Sequence, residues 1–148
     1  MKIVIAADHR GFELKESILL DSLFADVEFI DSGAHSFDED DDYTSLAADA
    51  VFDMTARDVE RAVLICGSGV GMCVMANKFN GIRCGIGISP EQVASARMDD
   101  DMNVLAISAD YTDHESVVTM IRVFVDTDFK STSRFERRLN DIAEIEQN

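Results

Sequence analysis

Residue 66 is a cysteine, and the five residues behind it are Gly67, Ser68, Gly69, Val70 and Gly71. A thiolate is both nucleophile and base; the free thiol titrates at about 8.5, and a helix amino terminus lowers that value. Small residues turn the backbone tightly, and free N–H groups at the start of a helix stabilise a developing oxyanion. Cysteine chemistry by attack calls for an activating base such as histidine. Neither His35 nor His114 has an evident route to Cys66. General base catalysis by Cys66 is therefore the simpler assignment, with 67–71 as the oxyanion site. The loop is not a dinucleotide fingerprint, because "GSGVGM" lacks the spacing of the third glycine. A second candidate is the pair Asp8-His9, which serves either as a hydrogen-bonded cap on a strand or as a contact for ligand.

These residues need elements to carry them. Apolar, β-rich runs recur at 2–7, 27–31, 62–67, 82–89 and 103–108, each followed by a helical pattern. The runs are continuous rather than alternating, as in strands buried on both faces, and strand–helix alternation implies a parallel sheet with right-handed crossovers. The expected class is α/β, a three-layer α/β/α arrangement around five strands, in a single domain spanning 1–148. Phe12, Leu19 and Leu23 share one face of a first helix. "SPEQ" (89–92), "TDHE" (112–115) and "SRFE" (133–136) each read as a helix start with a capping box. The last helix has no strand to return to, so it packs on the sheet or lies across a partner subunit. In open parallel sheets ligands bind beyond the carboxyl ends of the strands, which singles out Asp8-His9, Cys66 to Gly71, and Asp99 to Asn103.

Composition narrows the partners. With 29 acidic against 13 basic residues and a formal charge of -16, nucleic acid and anionic membranes are excluded as partners. No apolar run approaches the roughly 20 residues of a membrane span. Cys66, Cys73 and Cys84 lack metal-ligand spacing; they fit reduced thiols in the cytoplasm, with Cys73 and Cys84 as small core residues. The run "DEDDD" (38–42) reads as a solvated loop without chemistry. No cofactor and no metal are expected.

The segments "AADHRGFELK" (6–15), "DY" (42–43), "ICGSGVGMCVMANKFNGIRCG" (65–85) and "NVLA" (103–106), in this order and spacing, closely resemble ribose-5-phosphate isomerase B and its relatives, the galactose-6-phosphate isomerase subunits. The resemblance spans nearly the whole chain. It implies a Rossmann-like five-stranded parallel sheet and a homodimer or homotetramer with active sites at subunit boundaries. It also implies metal-free aldose–ketose isomerisation of a sugar phosphate through an enediolate. On that resemblance Cys66 takes the C2 proton, Gly67, Ser68, Gly69, Val70 and Gly71 bind the enediolate oxygens, and Ser68 moves protons between O1 and O2. Asp8 and His9 contact sugar hydroxyls or the phosphate end, and Tyr43 borders the pocket.

The departures bear on substrate. Relatives carry a histidine, assigned to opening the furanose ring, where this chain has Asp99, and asparagine where it has Asp100. An arginine that reaches phosphate corresponds to Asp110. Arg134 and Arg138 remain, at i, i+4 on one helix face, where they hold phosphate or belong to a charged surface. Ribose 5-phosphate is the expected substrate. The alternatives are another sugar (galactose 6-phosphate, a tetrose phosphate or a free aldose) or a catalytically silent partner subunit.

Overall fold

The computed structural model describes residues 1–147. Five strands, β1 (Lys2–Ala7), β2 (Glu28–Asp31), β3 (Ala62–Cys66), β4 (Cys84–Ile86) and β5 (Val104–Ser108), form one parallel sheet in the order β2-β1-β3-β5-β4. The helices are α1 (Phe12–Leu19), α2 (Tyr43–Ala56), α3 (Val70–Ala76), α4 (Pro90–Asp100), α5 (His114–Asp126) and α6 (Ser133–Glu146). The three central strands β1, β3 and β5 are the continuous apolar runs and are almost wholly buried; β2 and β4, at the edges, are shorter and half-buried.

Alternation along each strand sends side chains to two cores. Ile3, Ile5, Val63, Ile65, Leu105 and Ile107 pack with Ile18 of α1, Val93 of α4 and Val117, Ile121 and Phe124 of α5. Val4, Ala6, Leu64 and Cys66 face the other way, onto Ala47 and Val51 of α2 and Met72 and Ala76 of α3. The result is the expected three-layer α/β/α arrangement. From β1 the chain runs outward to β2 and then returns to β3 on the opposite side, so the topological switch point lies between the carboxyl ends of β1 and β3. Fully buried Lys15 ties α1 to the end of β2 through Asp31, at 2.7 Å.

Local signals were displaced in several places. Helix α1 stops at Leu19, and Asp21 then accepts from Leu23 N–H at 2.9 Å to start a short 3-10 turn, so Leu23 is exposed and Phe24 takes the buried position. Ser89 caps α4 as expected, but Gln92 reaches back to Ile88 N–H at 3.2 Å rather than to Ser89. The caps of α5 and α6 are Asp113 and Thr132, because these side chains lie where they can accept from Ser116 and Phe135 N–H. Helix α6 packs chiefly on α4, and its far end is fastened to the 80–81 turn, where Gly81 N–H donates to Glu146 Oε2 at 2.9 Å.

Candidate active site

Cys66 ends β3 at the switch point, 3% exposed, on the sheet face covered by α2 and α3. Beyond it the chain is held to the end of β5: Cys66 C=O accepts from Ala109 N–H at 2.9 Å. Gly67 C=O accepts from Asp110 N–H at 3.0 Å and from the Ser108 hydroxyl at 2.9 Å. Both peptides are trans, so the N–H groups of Gly67 and Ser68 point away from β5, towards the end of β1. Gly69 takes φ +75°, the left-handed conformation that admits glycine without a steric penalty, and the chain then enters α3. Ser68 is exposed, and its hydroxyl oxygen accepts from Val70 N–H at 3.3 Å. Val70 is also exposed.

The β1 end is shaped by Asp8, whose Oδ1 accepts from the N–H groups of Arg10 and Gly11 at 3.0 and 3.1 Å. Burial pushes the Asp8 carboxyl above its usual range, against those two N–H groups. Asp8 thus does act as the structural cap, and in doing so it sets His9 and Arg10 on the rim. The His9 ring meets Asp41, Nδ1 to Oδ1 at 2.7 Å, and the same oxygen accepts from His9 N–H at 3.1 Å. That hydrogen bond to Asp41 raises the His9 pKa above its ordinary value. The run 38–42 is therefore not wholly solvated: Asp41 folds back onto the rim, because it finds two donors there. Its Oδ2 is buried with no hydrogen-bond partner among the described residues.

Two side chains lie directly on the loop. A Cβ on Gly71 would fall 2.8 Å from the Tyr43 ring, so Tyr43, the first residue of α2, does border the loop. A Cβ on Gly67 would fall within 2.6 Å of three guanidinium atoms of Arg10. The Arg10 guanidinium is paired with the Asp110 carboxylate. Nothing local in the sequence marks Asp41 as a rim residue, and the one local signal for Arg10 is its place directly after Asp8-His9.

The remaining expected residues are elsewhere. Asp99 and Asp100 end α4, ahead of β5, so they sit at the amino end of that strand and not on the rim with Cys66. Their neighbour Asp101 is used structurally, accepting from Arg97 at 2.8 Å and Arg83 at 2.7 Å. Arg134 and Arg138 are exposed on α6, beside α4. Asp100 lines a cavity of about 290 Å³ with Asn77, Arg83, Cys84, Met102 and Ile142, which contains none of the rim residues. Cys73 and Cys84 are half-buried rather than core residues: Met72 and Ala76 take the inward face of α3, leaving Cys73 to donate to Cys84 C=O at 3.3 Å. Among the described residues no cluster of His, Cys, Asp and Glu could hold a metal ion, and no helix is long and apolar enough to cross a membrane.

Residues 3–142 match the model of the ribose/galactose isomerase family. The chain belongs to that family. Among its relatives, ribose-5-phosphate isomerase B of Escherichia coli is 33% identical over 99% of this chain and 97% of its own length. A probable ribose-5-phosphate isomerase B of Mycoplasma genitalium is 33% identical over 98% and 95%. The solved structure of ribose-5-phosphate isomerase B from Mycoplasma genitalium with bound ribulose 5-phosphate superposes with a TM-score of 0.90 at 32% identity, covering 99% of this chain and 97% of that one. A ribose 5-phosphate isomerase from Thermotoga maritima gives a TM-score of 0.90 at 32% identity, with 97% of each chain covered. In this member of the ribose/galactose isomerase family, Cys66, the 67–71 loop and Tyr43 meet at the switch point.

Proposed function

We propose that the protein is a cytoplasmic aldose–ketose isomerase interconverting ribose 5-phosphate and ribulose 5-phosphate, with Cys66 as the base. The observation that carries this is Cys66 at the carboxyl end of β3, followed by peptide N–H groups directed towards the β1 end of the switch point, in a ribose/galactose isomerase family chain. The Cys66 thiolate takes the proton from C2 of the open-chain aldose. The electron pair becomes the C1–C2 double bond of an enediolate, whose oxygen charge is met by the N–H groups of Gly67 and Ser68. The Ser68 hydroxyl passes a proton between O2 and O1, and the thiol returns its proton to C1, leaving the carbonyl at C2. Asp8 and His9 hold sugar hydroxyls, and Tyr43 closes the side of the pocket.

The second half of the site comes from a second copy of the chain. Exposed Val70 and Val74 on α3 and Ile142 and Ile145 on α6 form apolar surface beside the loop helix and along the carboxyl-terminal helix. Pairing two copies through this surface would bring the partner's Asp99, Asp100, Arg134 and Arg138 to the mouth of the site, with the arginines on substrate phosphate. The test is exchange at C2 in heavy water, read by NMR for ribose 5-phosphate, galactose 6-phosphate, erythrose 4-phosphate and free aldoses. Exchange and ketose formation with ribose 5-phosphate are expected; neither with any sugar would leave a silent partner subunit as the function.

A further inference from the structure

We propose that Arg10 captures the anionic end of the substrate, a phosphate monoester, and that Asp110 parks its guanidinium at the loop mouth and competes with that anion. This rests on the isomerase reading only in taking a sugar phosphate as the anion.

The chain carries a formal charge of -16, and Asp8, Asp41 and Asp110 all stand at this rim, so a dianion needs a local cation to approach. Arg10 is the guanidinium on the rim: it lies on Gly67, whose N–H and that of Ser68 point to the same β1 side. Those N–H groups serve the enediolate oxygens, so the phosphate at the other end of the sugar falls to the guanidinium: arginine binds phosphate through two parallel hydrogen bonds where a lysine acts as a point charge. The main chain of Asp110 is held beside the loop, its N–H bonded to Gly67 C=O at 3.0 Å. The Arg10 side chain is 53% exposed and that of Asp110 32%, and ion pairs so exposed hold weakly enough for a dianion to displace the carboxylate.

The experiment titrates inorganic phosphate by calorimetry into the unmodified protein, Arg10→Ala, Arg10→Lys, Asp110→Asn and the double variant Arg10→Ala/Asp110→Asn, with melting temperatures as the fold control, and repeats the series as ribose 5-phosphate kinetics. We expect Arg10→Ala to weaken phosphate binding and raise KM by about 10- to 100-fold with a smaller change in kcat, and Arg10→Lys to fall between. Asp110→Asn should tighten phosphate binding several-fold, and only while Arg10 is present. Failure of the unmodified protein to bind phosphate, or equal binding by Arg10→Ala, overturns the proposal. So does a loss confined to kcat, which would place the guanidinium at the reacting carbons, and so does weaker binding by Asp110→Asn. Phosphate binding that depends on Arg10 in a protein inactive on ribose 5-phosphate would refute the ribose 5-phosphate assignment and leave this inference standing.

Discussion

Replacing Cys66 by alanine separates chemistry from packing, because the two effects differ in size. The side chain sits in a core with Leu64, Met72 and Val104, and removing its sulfur deletes about one methylene's worth of buried surface. That loss costs about 1 kcal/mol, a melting shift of about 2–4 °C for a chain of this length. Against a typical stability of about 5–15 kcal/mol, the variant remains folded. General base catalysis is worth about 10²- to 10⁴-fold, or about 3–5 kcal/mol of barrier. Cys66→Ala should therefore lose isomerisation and C2 exchange by that factor, while melting within a few degrees of the unmodified protein and still binding inorganic phosphate. Cys66→Ser should resemble it, since a hydroxyl is a far weaker base than a thiolate. The assay is ketose formation from ribose 5-phosphate, paired with C2 exchange by NMR and thermal melts. Retention of more than a tenth of the rate by Cys66→Ala, or an equal loss in Cys73→Ala, would refute the assignment of Cys66 as base.

Gly69→Ala places a Cβ at φ +75° and about 3.2–3.3 Å from the backbone of Ile107 and Ser108, so it should cost at least about 1–2 kcal/mol in urea unfolding and lower kcat/KM by disordering the loop. Asp41→Asn should bring the His9 titration, followed by NMR of the ring protons, back down towards about 6.5. The His9–Asp41 pair contributes stability below about pH 6.5 that fades as pH rises through the raised His9 value, so Asp41→Asn should flatten that part of the stability–pH curve; an unmoved titration contradicts the pairing. Arg134→Ala or Arg138→Ala should raise KM for a phosphorylated sugar far more than for the free sugar, and mixing each with Cys66→Ala protein should restore some activity through hybrid pairs. Asp99 is a poor ring-opening group beside a histidine, so Asp99→His should raise kcat/KM for ribose 5-phosphate while leaving open-chain erythrose 4-phosphate unchanged; no gain on ribose 5-phosphate removes Asp99 from the site.

Strand and loop positions were legible in the chain because they follow from neighbouring residues. A continuous apolar run such as Val63 to Ile65 stabilises a central strand, and Cys66 before Gly67 to Gly71 ends it in a turn whose chirality and bulk are local properties. Even the misplaced helix starts at Thr112 and Ser133 moved by a single residue, to Asp113 and Thr132, since the competing caps were adjacent. The position of Asp99 is legible too from chain direction: residues ahead of a strand in a parallel sheet stand at its amino end, opposite Cys66. What sequence could not supply are meetings between side chains that nothing local requires. His9 finds Asp41 32 residues away through the pairing of β1 with β2, and Arg10 finds Asp110 100 residues away through the crossovers that set β1 beside β3 and β3 beside β5. Charge and hydrogen-bonding capacity are written in the residue types, but which carboxylate answers which cation is decided only when the folded sheet brings their loops to one rim.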